Sequence, residues 1–187
     1  PRAQRGRGDR RRLVAVLGAG LGEEALGGDL HGWIAVWWLH NCRPMFAPSQ
    51  HDVRRFFCET FAKVVRGAPL TPMEALAARW IEQHPEYRDD LADVEAALAA
   101  SFSIEEGRSN PFLHLAMHLT ISEQCSIDQP AGIRQAVEAL AARRASLHEA
   151  HHEAMECLGH MIWASQRSGL PPDGHAYLDC VRARATR

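Results

Sequence analysis

Between Pro111 and Cys125, apolar side chains fall on every side of a helix axis: Phe112, Leu113, Leu115, Ala116, Met117, Leu119 and Ile121. A helix that is apolar all round cannot lie on a surface and must be wrapped by other helices. Asn110-Pro111 opens it, with proline at the first helical position, where no amide hydrogen is needed. The same segment carries His114 and His118. Two imidazoles on a buried helix must find partners, because an unpaired polar group in a core costs free energy. One helix therefore imposes both a fold class and a chemical problem.

The remaining punctuation is also helical. Ser49 caps a helix reaching about Val65, and Gly67 stops it. Thr71-Pro72-Met73-Glu74 reads as a capping box opening a helix that ends before Pro85. A shorter helix is expected within Leu91–Ala100, and Ser103–Ser109 reads as a polar loop. Asp128-Gln129-Pro130-Ala131-Gly132 reads as a turn into a helix over about 132–145. Ser146-Leu147-His148-Glu149 is a second candidate capping box, opening a long helix that ends near Ser168 with Gly169 beyond it. A last helix over about 174–184 follows Asp173. The expectation is an all-α fold: a single bundle of six or seven helices, with helix 111–125 central.

The chain has 187 residues, enough for one domain that buries a sizeable core without staples. Residues 1–44 stand apart. They are rich in arginine and glycine, and Met45 reads as the natural start of a helical domain over 45–187. The first 44 residues are therefore expected to be an extension or an upstream translation. Leu13–Gly22 imitates the glycine turn of a dinucleotide fold, but no alternating strand–helix pattern follows it. The net charge of −2 gives no support to nucleic-acid binding, and no apolar run is long enough to span a membrane. Five cysteines, odd in number, widely spaced and without a C-x-x-C pair, argue against a disulfide framework and for a reducing, cytoplasmic setting.

Histidine is the unusual residue, with 11 in the chain. At about 100° per residue, His114 and His118 share one helical stripe with Cys125. On the long helix His148, His152 and Glu156 form a second stripe. If the two helices pack, His114, His118, His148, His152 and Glu156 converge as ligands for one divalent transition metal. Neutral imidazoles with a carboxylate suit Zn, Fe, Ni or Mn. The alternative is that each histidine is a structural residue bonded to a carbonyl or carboxylate.

Two stricter motifs are incomplete. His148-Glu149-Ala150-His151-His152 matches H-E-x-x-H, in which two histidines hold zinc and the glutamate is a general base. Met155 stands where the extended motif needs glycine, and no edge strand is expected to hold a peptide, so a metallohydrolase is the weaker reading. Glu149-x-x-His152 is one half of a di-iron signature that needs two. Cys125 lies on the stripe of His114 and His118, but buried cysteine usually packs as a small hydrophobe.

Several segments together resemble a known family. They are Met45-Phe46 through FFCETF, LTPMEALAARWIEQHPEY, NPFLHLAMHLTISEQCSIDQPAGI and HHEAMECLGHMIWASQRSGLPPD. They are similar to the proteobacterial family catalogued as domain of unknown function 1841, over about 45–187. The resemblance implies a small bacterial, cytoplasmic helical protein, and it brings no activity or site residues with it. Two function classes follow from the residues themselves: a histidine-rich bundle binding one divalent metal, or a non-enzymatic helical module acting through a protein partner or as a homo-oligomer.

Overall fold

The computed structural model describes residues 49–102 and 109–186. The expectations for the first 44 residues and for most of the 103–109 loop lie outside them. All regular structure in the described residues is helical: α1 (Gln50–Arg66), α2 (Pro72–Gln83), a 3-10 turn (Pro85–Tyr87), α3 (Arg88–Ala92), α4 (Val94–Ala99), α5 (Pro111–Ile127), α6 (Ile133–Arg144), α7 (Leu147–Ser168) and α8 (Gly174–Thr186). The all-α expectation holds, and where one short helix was expected near 91–100 there are two. No helix among the described residues is long and apolar enough to cross a membrane. The helices pack as two units, one ending at Glu123 and the other beginning at Gln124.

In the first unit, α1 packs against α2, α3 and α4. Its start is a reciprocal box: the Asp52 amide donates to Ser49 Oγ at 3.2 Å, and the Ser49 amide donates to Asp52 Oδ2 at 2.8 Å. Gly67 closes α1 at φ 65°, a left-handed conformation that side chains with a Cβ disfavour. Phe57, Cys58, Ala77, Trp80, Ile81, Leu91, Ala97, Phe112, Leu115 and Ala116 form one buried cluster, so the front of α5 is packed as its apolar circumference requires. Arg54 is buried among them. Its Nη1 donates to the carbonyls of Ala97 (2.9 Å), Leu98 (3.3 Å) and Ala100 (2.8 Å), satisfying the otherwise orphaned end of α4. The guanidinium also lies 5.3 Å from the Phe102 ring centre and 5.7 Å from that of Phe112.

In the second unit, α6, α7 and α8 pack pairwise against one another. Ile133, Val137, Leu140, Ala154, Met155, Leu158, Leu178 and Val181 are buried there. The turn before α6 is held by Asp128, at φ 51°, whose carboxylate accepts from the amides of Gly132 and Arg134, each at 3.1 Å. Arg134 then caps the end of α5, donating to the carbonyls of Cys125 and Ser126 at 2.7 Å each. Tyr177 is buried, and its hydroxyl donates to Gln124 Oε1 at 2.9 Å. Of the second expected capping box one arm forms: the Glu149 amide donates to Ser146 Oγ at 3.2 Å.

One cysteine expectation is overturned. Cys157 on α7 and Cys180 on α8 are joined by a disulfide, with their Cα atoms 5.8 Å apart. Spacing along the sequence misleads here because the five residues between the two helices fold them into a hairpin, and a hairpin brings distant positions level. Cys58 and Cys125 are free thiols.

The start of α2 generates a test. Glu74 Oε2 accepts from the Thr71 amide at 2.8 Å, while Lys63 Nζ donates to Oε1 at 2.6 Å. The Lys63 contact first, then the Thr71 amide, lowers the Glu74 carboxyl from 4.5 to about 2. A folded value below the unfolded one means that this contribution is complete above about pH 4.5 and is lost as pH falls towards 2. Replacing the only lysine, Lys63→Met, should therefore flatten the fall in melting temperature across that window. Melting curves with equal acid slopes for the two proteins would refute the assignment.

Candidate metal centre

Helix α2 ends where it does because Pro85 has no amide hydrogen and its ring obstructs a continuing helix. His84 is thereby turned out of the helix, at φ −123° and ψ 63°, and the 3-10 turn that follows brings Glu86 back beneath it. Glu86 Oε1 lies 3.1 Å from His84 Nδ1. A carboxylate accepts, so Nδ1 carries a hydrogen and Nε2 points the other way.

That nitrogen faces α5. His84 Nε2 lies 2.9 Å from His118 Nε2, and His118 Nε2 lies 3.2 Å from His114 Nε2. His84, His114 and His118 each offer a nitrogen within 4.8 Å of the others. The i, i+4 spacing puts His114 and His118 side by side, as the stripe predicts. His84 and His118 are fully buried, and His114 is half-buried.

Aromatic rings hold the imidazoles in place. Trp80 stacks on His118, with centroids 4.1 Å apart and planes at 15°. Its Nε1 donates to Ser122 Oγ at 2.8 Å, and Ser122 donates in turn to the His118 carbonyl at 2.9 Å. Tyr87 stacks on His84 at 5.3 Å and meets the His114 ring edge-on at 5.8 Å. Each ring is therefore fixed by packing as well as by polar contacts.

Proton counting defines the chemical problem. An imidazole nitrogen either carries one hydrogen or offers one lone pair. His118 Nε2 has two imidazole neighbours, His84 and His114. A hydrogen on His118 Nε2 can be donated to a neighbour that presents a lone pair. A cation at the centre satisfies all three nitrogens at once. Nitrogens around a tetrahedral Zn²⁺ with bonds of roughly 2.0–2.1 Å lie about 3.3 Å apart, close to the two separations here. Glu86 then takes the position of the outer carboxylate that orients a ligating histidine.

The other expected ligands fall on the second unit. The His148 and His152 rings lie 4.2 Å apart on α7, and His152 is buried. The Glu156 carboxylate is engaged by Arg184 at 2.6 Å, and Arg184 also reaches Glu153 at 4.0 Å. Burial pushes the Cys125 thiol up to about 11, so it is no thiolate nucleophile at neutral pH. His84 escaped the helical-stripe argument because it sits in a turn. The available signal was the His-Pro-Glu string at the end of α2, where a helix stop places a carboxylate two residues from an imidazole.

Comparison with known proteins places the chain in a family. A family model described as a domain of unknown function, DUF1841, matches residues 49–183, and the chain belongs to that family. No curated protein and no solved structure matches it.

The Trp80–His118–Ser122 arrangement should be readable without any metal. With a chelator present, His118→Ala should cost about 2–4 kcal/mol, from a cavity beside Trp80 and lost hydrogen bonding. Ser122→Ala should cost about 1 kcal/mol. Urea unfolding followed by tryptophan fluorescence measures both, and a His118→Ala protein as stable as the parent would contradict the packing described.

Proposed function

We propose that this DUF1841 protein binds one divalent transition metal through the Nε2 atoms of His84, His114 and His118, with Glu86 orienting His84. The observation that carries the reading is the meeting of three imidazole nitrogens, with a carboxylate behind one of the rings. An all-imidazole set favours Zn, Fe or Ni over Mn, which prefers oxygen ligands. His148 and His152, expected from the sequence as further ligands, enter the test as separate substitutions; Glu156 is the weakest of the expected five because Arg184 already engages it.

The second reading is a purely structural role for the histidines, and the stacking of His118 on Trp80 favours it. Elemental analysis of the purified full chain separates the two. Metal binding predicts about one equivalent of metal, sharply reduced by His84→Ala and by His114→Ala but unchanged by His160→Ala, since His160 is exposed on α7. Adding metal to about 100 times its dissociation constant should raise stability by about 2.7 kcal/mol, and a chelator should reverse it. A metal-free protein whose melting ignores added Zn, Fe and Ni would establish the structural reading instead.

A further inference from the structure

The Cys157–Cys180 disulfide does not lie sealed in the packing between α7 and α8. It borders a cleft of about 260 Å³, lined also by His160, Met161, Leu170 and Tyr177. The two sulfurs are not equivalent, because Cys157 is buried whereas Cys180 is only half-buried. His160 stands three residues after Cys157 on α7 and is exposed, so an imidazole edges the same cleft. Leu170, at the rim, is 65% exposed, an apolar seat beside the mouth.

We propose that this bond is a thiol–disulfide exchange site for an external dithiol, with Cys180 as the sulfur attacked. An incoming thiolate attacks Cys180 Sγ in line with the S–S bond. A mixed disulfide forms on Cys180, the Cys157–Cys180 bond breaks, and its electron pair leaves on Cys157 Sγ. That thiolate takes a proton from water. The second thiol of the reductant then attacks the mixed disulfide and leaves as an oxidised disulfide, and Cys180 is released as a thiol. Two electrons and two protons have passed from the dithiol to the protein. Among the described residues the free cysteines do not compete as internal nucleophiles, since burial raises the Cys58 and Cys125 thiols to about 11.

The site is distinct from the histidine cluster, and its test does not depend on metal. The oxidised full chain is incubated without denaturant, with dithiothreitol in one arm and reduced glutathione in the other. Samples are acid-quenched, alkylated and mapped by peptide mass spectrometry. Cys157 and Cys180 should become alkylated together in dithiothreitol and reoxidise when it is removed. The glutathione adduct trapped early should sit on Cys180, about ten-fold in excess over Cys157. Reaction with dithiothreitol alone identifies a dithiol as the reductant; reaction with both extends the site to small monothiols. In a second measurement, Cys157→Ser is expected to take up glutathione from its oxidised form at Cys180, and Cys180→Ser to take it up about ten-fold more slowly at Cys157. The mapping of the unmutated chain stands even if a variant fails to fold. A bond that resists both reductants until guanidinium is added, or adducts mainly on Cys157, would overturn the proposal.

Discussion

Burying a helix that has no polar face is the constraint on which the rest depends. Helix α5 offers apolar atoms in every direction, and the first unit answers it with Phe57, Trp80, Ile81 and Leu91 packed about Phe112, Leu115 and Ala116. A polar side chain on the enclosed side of that helix is enclosed with it. His118 is fully buried, and water is no longer available to its ring. The groups that meet it come partly from α5 itself, through His114, and partly from α2 and the turn after it: Trp80 by stacking, with the Ser122 relay behind it, and His84 by direct approach. The packing that stabilises the unit and the cluster that offers chemistry are thus one arrangement.

The same economy appears in how helix ends are satisfied. Arg54 and Arg134 each reach across to carbonyls at the end of another helix, α4 in one case and α5 in the other. Glu74 closes its own capping box and holds Lys63 of α1 with the remaining oxygen. Long charged side chains therefore do work that local capping alone cannot, because the last carbonyls of a helix have no partners within it. In the second unit the corresponding network runs through Arg184, Glu153, Glu156 and Arg144, and it engages a carboxylate that the sequence marked as a ligand.

The two chemical features differ in how their residues were brought together. His114 and His118 lie one turn apart, so helical periodicity alone makes them neighbours. His84 joins them across 34 residues, and Cys157 meets Cys180 across 23. In both long-range cases a proline or glycine stop turned the chain: Pro85 at the end of α2, and Gly169 before the two prolines that separate α7 from α8.

Capping residues, helix stops and apolar periodicity determined the helices from the sequence, because each of these acts within a few residues: Ser49, Gly67, Thr71, Glu74, Pro85, Asn110, Ser146 and Gly169 all perform the part that their chemistry implies. The local half of the candidate site, His114 beside His118, was legible for the same reason. The tertiary structure decided what periodicity does not encode. It put a turn histidine against a helical pair, gave Glu156 to Arg184, and joined two cysteines that spacing alone argued against. Those outcomes depend on which helix faces pack and at what level along their axes, and that is set by the summed burial of whole helix faces rather than by any short string of residues.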